Sequence, residues 1–157
     1  MDIFRAPSPP PWKDEKGALM SDVIEKDYRP SEDEPFMNDR QREYFRKKLL
    51  DWKDDILKES RETLQHLADE SQNHPDLADR ASSETDRAIE LRARDRQRKL
   101  ISKIDSALKR IDDGSYGYCE ETGEPISLRR LDARPIATLS IEAQERHERR
   151  ERVYRDD

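Results

Sequence analysis

Apolar side chains recur at helical spacing along a stretch that begins soon after Pro35. They are separated at first by four, three and four residues and continue after a stutter, and comprise Phe45, Leu49, Trp52, Ile56, Leu57, Leu64 and Leu67. Such spacing places side chains on one face of an α-helix, where they pack against a partner helix. Asn38 can cap this helix, and Gln41, three residues later, can complete a capping box. We therefore predict a long helix that begins next to Asn38.

The first helix is predicted to end near Pro75, within a segment of polar and turn-forming residues. Proline disfavours helical backbone at the residue before it, so the chain must turn there. A second helix is predicted to begin near Asp79 or Ala81, with Asp79 or Ser82 as its N-cap. The tip of the resulting hairpin is predicted near 73–81.

The second helix carries a matching apolar face. Its positions are Ala88, Leu91, Ile101, Ile104, Leu108 and Ile111. The segment 92–99 is almost entirely charged, so the seam there is expected to be polar or bridged by ion pairs. No glycine lies between Met20 and Asp112, which favours stiff helices. Residues 37–112 are therefore predicted to form an antiparallel coiled-coil hairpin.

The flanking segments differ in composition from the hairpin. Residues 1–36 contain six prolines and are predicted to form an arm that is partly disordered and partly packed on a globular domain. Residues 113–157 begin with a turn-rich knuckle and end with an amphipathic helix from about 140 to 155. The candidate core of the knuckle is Tyr116, Tyr118, Ile126, Leu128, Leu131, Ile136, Leu139 and Ile141. The predicted fold is mainly α: a long antiparallel coiled-coil hairpin projecting from a small globular domain with a zinc-finger-like knuckle and a C-terminal helix.

Composition excludes several classes of protein. With 43% charged and 32% hydrophobic residues, the chain cannot build one large core. A net charge of -6 argues against binding bare nucleic acid by bulk electrostatics. No apolar run approaches the roughly 20 residues of a membrane span, and the start lacks a signal-like apolar stretch, so a cytoplasmic protein is expected. We find no nucleophile elbow, phosphate loop or His-Glu metal motif, and therefore expect a protein-binding protein rather than an enzyme.

Three passages carry a resemblance to a known family. They are the knuckle sequence 117–135, the helical sequence 92–104 and the turn sequence 74–81. Together they resemble the DksA/TraR family of bacterial RNA polymerase-binding transcription factors, and most closely its DksA branch. The resemblance covers roughly residues 35–157, whereas the proline-rich first 34 residues resemble the family much less.

The resemblance implies a factor that inserts its coiled coil into the secondary channel of RNA polymerase and does not bind promoter DNA. Such factors destabilise open promoter complexes, repress ribosomal RNA promoters and assist some amino-acid biosynthetic promoters in the stringent response. The family's two tip aspartates and nearby alanine, which act close to the polymerase active site, fall on Asp76, Asp79 and Ala81. From the residues alone, aspartates beside a turn are also common as solvated helix caps.

The resemblance also implies guanosine tetraphosphate (ppGpp) as a co-effector at the interface between factor and polymerase. The family's factor-side basic residues fall on Lys103 and Arg134, with Leu100 adjacent, and a third family lysine is replaced by Gln144. Losing one cation removes a charge-assisted contact to phosphate. The alternative for Lys103 and Arg134 is solvated charge or pairing within the chain.

The resemblance is weakest at the zinc site. Many family members bind Zn²⁺ through four cysteines, and the corresponding positions here are Cys119, Thr122, Ser140 and Ala143. Hydroxyl groups are poor zinc ligands and alanine is none, so we expect no zinc. A site built from Cys119 and His147 with Glu120 or Glu121 is the disfavoured alternative. We expect Cys119 to pack as a small hydrophobe.

Two other functions remain open from the sequence. A coiled-coil scaffold would bind another helix without acting on transcription, and would have no need for Asp76 and Asp79. A Gre-like transcript-cleavage factor would also present acidic residues at its tip. The knuckle sequence favours the DksA branch, whose members we expect to act as monomers.

Overall fold

A computed structural model describes residues 27–70 and 77–155, without the side chains of residues 70 and 77–79. Its helices are α1 (Asp39–Glu70), α2 (Leu77–Asp113), α3 (Leu128–Ala133) and α4 (Ile141–Arg155). The strand-like pairing found in this part of the chain is one isolated bridge between Tyr118 and Pro125. The mainly helical fold with a coiled-coil hairpin is thereby confirmed, while the predicted arm up to residue 26 lies outside the described residues.

Helix α1 begins where the sequence predicts. The Asn38 side-chain oxygen accepts a hydrogen bond from the Gln41 N–H at 2.8 Å, and its carbonyl accepts one from the Arg42 N–H at 3.0 Å. The side-chain oxygen of Gln41 bonds the N–H of Met37 at 2.8 Å rather than that of Asn38. Met37 has a φ of 51°, and this left-handed turn aims its N–H at Gln41. The capping box is present with its second bond shifted by one residue.

The described chain divides into two compact units. The knuckle unit comprises residues 27–48 and 110–155, and the hairpin unit comprises residues 49–70 and 77–109. No helix in these residues is long and apolar enough to cross a membrane.

The helices of the hairpin unit run antiparallel. Lys53 Nζ lies 2.6 Å from Asp105 Oδ1, so the helices are paired at that level. Only residues 71–76 connect α1 to α2, and six extended residues span about 20 Å. Parallel pairing would separate the ends of the two helices by about 67 Å, which this connection cannot bridge. The side chains buried in the unit are Leu49, Ile56, Ile104 and Ala107.

The predicted start of α2 is wrong by two to four residues. The helix begins at Leu77, so Asp79 and Ser82 lie inside it and cannot be its N-cap. Proline disfavours helical backbone at the residue before it and not at the residues after it, so a helix can begin at Leu77, two residues after Pro75.

The predicted apolar seam is correct at Leu49, Ile56 and Ile104, and Leu67 and Ile101 are half-buried, but the prediction is wrong at four other positions. Leu57 and Leu64 are 37% and 42% exposed, Leu91 is 59% exposed, and Ala88 is also exposed. The position that continues Leu49 and Ile56 at a seven-residue interval is Thr63, one residue before Leu64. The stutter therefore carries Leu57 and Leu64 one step round the helix and out of the seam.

The knuckle unit has its own core. Phe45 from α1 packs against Tyr116, with ring centroids 5.6 Å apart, and the Tyr116 hydroxyl donates to the Pro135 carbonyl at 2.7 Å. The predicted core residues Tyr116, Ile126, Leu128, Leu131 and Ile136 are buried. Tyr118 and Ile141 are exposed instead, at 40% and 49%, and Ile141 is the first residue of α4.

Residues before α1 pack on this unit through aromatic contacts. The Phe36 and Tyr118 rings meet edge to face at 5.4 Å, and Tyr28 meets Tyr44 in the same way at 6.0 Å. Gly117 permits the approach: its φ is 89°, and a Cβ there would lie 3.1 Å from Met37 side-chain carbons. Any other residue at this position would strain the backbone and push the segment away.

Candidate functional site

The structure places the predicted tip residues only in part. Asp76 lies outside the described residues, and Asp79 is the third residue of α2, with only its backbone described. Ala81 is exposed in the next turn. A carboxylate in the first turn of a helix is favoured by the helix dipole.

Leu100 and Lys103 share one face of α2 in the hairpin unit. They are three residues apart, Leu100 is half-buried, and Lys103 is exposed. The Lys103 ammonium makes no ion pair with another described residue, in contrast to Lys53, which pairs with Asp105. The charge of Lys103 is therefore not neutralised by an ion pair with any described side chain.

Arg134 and Gln144 belong to the knuckle unit. Arg134 ends α3, where its N–H donates to the Arg130 carbonyl at 2.8 Å, and its guanidinium is exposed without an ion pair in the described part of the chain. Gln144 donates from its amide to Glu148 at 2.9 Å on the surface of α4. The amide supplies no positive charge at this position, where the resemblance implies a lysine in the family.

An ion pair fixes α3 against the start of α1. Lys48 Nζ donates to the carboxylate and to the carbonyl of Asp132, each at 2.6 Å, and the Tyr44 hydroxyl donates to the same carboxylate at 2.7 Å. The bond from Lys48 holds the pKa of Asp132 below its usual value, burial opposes that shift, and the Tyr44 bond reinforces it. Arg134 is the C-cap of α3, two residues after Asp132, so this contact anchors the end of the helix from which Arg134 extends.

Replacing Asp132 by Asn is expected to lower the free energy of unfolding by about 1 kcal/mol at neutral pH, since two charge-assisted bonds lose their anion. The pKa of the folded carboxyl is lowered, so its contribution is present above the unfolded value near 3.8 and is lost as the pH falls through the folded value. Urea unfolding at several pH values, with exposed Asp55→Asn as control, measures this. If the difference in unfolding free energy between wild type and Asp132→Asn were the same in acid, the stabilising role of the Asp132 carboxylate would be wrong.

Backbone hydrogen bonds close the knuckle loop around Cys119. The Cys119 N–H donates to the Glu124 carbonyl and the Gly123 N–H returns to the Cys119 carbonyl, both at 2.8 Å. The Ile126 N–H donates to the Gly117 carbonyl at 2.7 Å, and Gly123 has the positive φ that the tight turn requires. The loop therefore closes through its own backbone.

The Cys119 thiol lies among hydrogen-bond donors. It is 3% exposed, and the Ser140 N–H points at Sγ from 3.4 Å. Burial by itself raises the pKa of the thiol, but bonds from the Thr122 hydroxyl and from the backbone of Ser140, Thr122 and Glu121 outweigh burial and lower the pKa to about 6. Cys119 is thus buried in the core as expected, and its sulfur in addition accepts hydrogen bonds from the surrounding loop.

The four residues at the family's ligand positions do not fit zinc. The Thr122 hydroxyl bonds Cys119, and the Ser140 hydroxyl caps α4 by accepting the Ala143 N–H at 3.3 Å. Ala143 is fully buried and offers no donor atom. One cysteine sulfur and two engaged hydroxyls do not make the four-ligand sulfur or nitrogen set of a structural zinc site.

The disfavoured site around Cys119 and His147 does not form either. His147 is exposed, with Nδ1 3.4 Å from Glu151 on the same helix. Glu120 pairs with Arg110, and Glu121 pairs with both Arg146 and Arg150. Nowhere in the described part of the chain do three or more His, Cys, Asp or Glu side chains converge. Guanidinium groups thus hold the carboxylates that this site would need.

The sequence interpretation missed a buried charge cluster in the knuckle unit. Glu43 is 2% exposed, Arg46 Nε lies 3.2 Å from its Oε1, and Arg46 Nη2 reaches Asp112 at 2.8 Å. The Oε2 atom of Glu43 has no hydrogen-bond partner among the described residues. The available signal was the i, i+3 spacing of opposite charges around Phe45, which also occurs at many exposed helix positions.

The stability of the knuckle is expected to depend on pH through Cys119. Its folded pKa is lowered from 9.0 to about 6, so its contribution is fully present above pH 9 and is lost as the pH falls towards 6. The difference in melting temperature between wild type and Cys119→Ser should therefore widen as the pH rises over this interval. Circular dichroism melts of both proteins measure it. A constant difference would show that the thiolate has no role.

Comparisons with known proteins cover both units. A family model described as the N-terminal domain of the DnaK suppressor protein DksA matches residues 41–111, and one described as the prokaryotic dksA/traR C4-type zinc finger matches residues 114–149. The chain is 78% identical over 136 residues to the RNA polymerase-binding transcription factor DksA of Caulobacter vibrioides, covering 86% of this chain and 96% of that protein.

More distant relatives agree. The protein of the same name from Haemophilus influenzae is 46% identical over 127 residues, covering 81% of this chain and 88% of the relative. The solved structure of transcription factor DksA2 from Pseudomonas aeruginosa matches with a TM-score of 0.70 and 46% identity, over 74% of this chain and 90% of that one. On the strength of identity along nearly the full length of its relatives and of the shared fold, the chain belongs to the DksA/TraR family.

Proposed function

We propose that this chain is a bacterial transcription factor that binds RNA polymerase through the secondary channel and regulates initiation without binding promoter DNA. The observation that carries the proposal is the 78% identity over 96% of a protein named RNA polymerase-binding transcription factor DksA. The aligned length includes the whole hairpin that would enter the channel. The proposed factor works as a monomer in the cytoplasm, where the polymerase is.

The hairpin tip is the proposed active part. Asp76, Asp79 and Ala81 retain the identities of the family's tip residues. Helix α2 has 37 residues and is therefore about 55 Å long, the scale needed to reach the interior of a large enzyme. Two carboxylates delivered there can pair with cationic side chains or compete for the oxygen-loving Mg²⁺ of a polymerase centre. Either effect would shift the balance between open and closed promoter complexes.

A small energy suffices for regulation of this kind. A change of about 1.4 kcal/mol in the barrier to open-complex decay alters its lifetime tenfold. Charge-assisted hydrogen bonds contribute about 1.5 to 3 kcal/mol each, so one or two tip contacts supply the required effect. In this proposal the factor represses ribosomal RNA promoters and assists some amino-acid biosynthetic promoters.

The proposed co-effector is guanosine tetraphosphate, bound between this chain and the polymerase. Lys103 and Arg134 are exposed cations without ion pairs in the described residues, as phosphate ligands need to be, and Leu100 offers an apolar contact beside Lys103. Gln144 can donate a hydrogen bond but no charge, which weakens the factor's share of the nucleotide site. The proposed protein therefore responds to the nucleotide less strongly than a relative with all three cations.

The proposed factor works without zinc. Backbone hydrogen bonds around Cys119, the Ser140 cap and the ion pairs of Glu121 are the contacts that would keep the knuckle closed in the absence of a metal. Chelators are therefore expected to leave its activity unchanged.

Binding to polymerase is the direct test of this proposal. Purified core polymerase should retain the wild-type chain, and an unlabelled channel-binding factor should displace it. The Asp76→Asn/Asp79→Asn variant should bind equally well, because the tip acts after docking. No binding by the wild type would overturn the proposal, and binding without any effect on initiation would favour a scaffold. Shortening of transcripts in stalled complexes would instead favour a Gre-like cleavage factor.

A further inference from the structure

Three leucines form a partly exposed row on α1 within the hairpin unit. Leu50, Leu57 and Leu64 are seven residues apart, and their side chains are 41%, 37% and 42% exposed. Each lies one residue beyond a seam position, for example Leu57 after the buried Ile56, so the row runs beside the seam. A seven-residue repeat of leucine is the pattern that packs against a further helix.

Charged side chains complete the row. Asp54 and Arg61 alternate with the leucines at intervals of four and three residues, which gives a continuous stripe from Leu50 to Leu64. Both are exposed, and neither forms an ion pair with another described residue. The stripe thus carries its acidic group in the first half and its basic group in the second.

This order of charges favours an antiparallel over a parallel arrangement of two copies. If a second copy lies antiparallel across the stripe, Leu57 meets its own counterpart near the two-fold axis and Leu50 faces Leu64 of the other chain. Asp54 of each copy then lies near Arg61 of the other, so the charge contact forms twice. A parallel copy would place Asp54 beside Asp54 and Arg61 beside Arg61, which is unfavourable.

We propose that the stripe from Leu50 to Leu64 is a self-association surface through which two free chains pair antiparallel. The surface is small, so the dimer is weak and forms only when the protein is concentrated. Pairing covers one face of α1 and therefore competes with any other partner that uses that face. The proposal does not depend on polymerase, and the proposed monomer is the form that acts there.

Sedimentation of the full chain from micromolar to near-millimolar concentration tests the proposal without polymerase. Wild type should show a monomer–dimer equilibrium, and Leu57→Ser should raise the dissociation constant about tenfold or more because the change occurs twice at the axis. Val153→Ser, at a side chain 64% exposed on α4, is the matched control and should leave the equilibrium unchanged. Helix content by circular dichroism verifies that each variant folds.

A charge swap then tests the geometry. Asp54→Arg alone and Arg61→Asp alone should each weaken pairing several-fold, and the combined variant should restore it because the contacts re-form in reverse. Monomer at every concentration would overturn the proposal. So would a dimer that ignores Leu57→Ser, or a combined variant as weak as the single ones. None of these results would count for or against the proposed binding to polymerase, which is tested by a separate experiment.

Discussion

Changing Asp76 and Asp79 together to Asn is expected to abolish the effect of this chain on open-complex lifetime while leaving its affinity for polymerase intact. Asparagine keeps the shape of aspartate and removes its charge, so the tip still fits but no longer attracts cations or competes for Mg²⁺. Wild type should shorten the lifetime about tenfold at a ribosomal promoter, which corresponds to about 1.4 kcal/mol, and the variant should leave it unchanged.

Filter retention of open complexes after competitor addition measures this lifetime. The matched control is Asp55→Asn/Asp69→Asn, which removes two exposed carboxylates from α1 without touching the tip. It should behave as wild type. If the control variant failed equally, the effect would arise from the overall charge of the hairpin. If the tip variant retained full activity, the role assigned to Asp76 and Asp79 would be wrong.

Restoring the missing cation with Gln144→Lys is expected to strengthen the response to guanosine tetraphosphate. A new charge-assisted phosphate contact of about 1.5 to 3 kcal/mol should lower the nucleotide concentration for half-maximal effect by roughly ten- to a hundredfold. Lys103→Ala and Arg134→Ala should raise that concentration by similar factors. Titration of the nucleotide into a transcription reaction with each variant measures the shift.

Two controls separate phosphate contact from general charge. Gln144→Met has a similar length and no charge, and should not improve the response. Lys109→Ala removes another exposed lysine of α2 and should leave the response unchanged, in contrast to Lys103→Ala. If Gln144→Lys and Gln144→Met acted alike, residue 144 would lie outside the nucleotide site. An equal loss for Lys109→Ala and Lys103→Ala would point to non-specific attraction.

The start of α1 and the buried positions up to Ile56 could be predicted from sequence because their signals are local. The Asn38 cap needs one side chain and the N–H of Gln41, three residues later, and the spacing of Phe45, Leu49 and Ile56 follows directly from helix geometry. Beyond Ile56 the spacing of apolar residues no longer predicts which side chains are buried. A shift of one residue separates Thr63, which continues the seam, from Leu64, which is exposed.

In the knuckle, by contrast, the important contacts join residues that are far apart in sequence and could not be predicted. Its turn residues and most of its buried side chains are evident in the sequence, but the environment of Cys119 depends on N–H groups brought from Ser140, which is 21 residues away. The ion pairs of Glu121 with α4 and the buried Glu43–Arg46 pair are likewise products of packing. In a chain with 43% charged residues, composition alone cannot indicate which charges meet.

For the candidate site, the residues come from the sequence resemblance and their surroundings come from the structure. The resemblance supplied Lys103, Arg134, Leu100 and Gln144, and the structure adds that neither cation has an ion-pair partner among the described side chains. That observation removes intramolecular pairing there as an explanation for Lys103 and Arg134. Their assignment to the nucleotide remains a prediction, as does the role of Asp76 and Asp79.

Transcription from a ribosomal RNA promoter with purified polymerase tests the central claim most directly. The wild-type chain should reduce transcript synthesis, guanosine tetraphosphate should deepen the repression, and the Asp76→Asn/Asp79→Asn variant should bind the polymerase without repressing. Unchanged transcript synthesis with the wild-type chain demonstrably bound to polymerase would contradict the account, and would identify the protein as one that occupies the polymerase without regulating it.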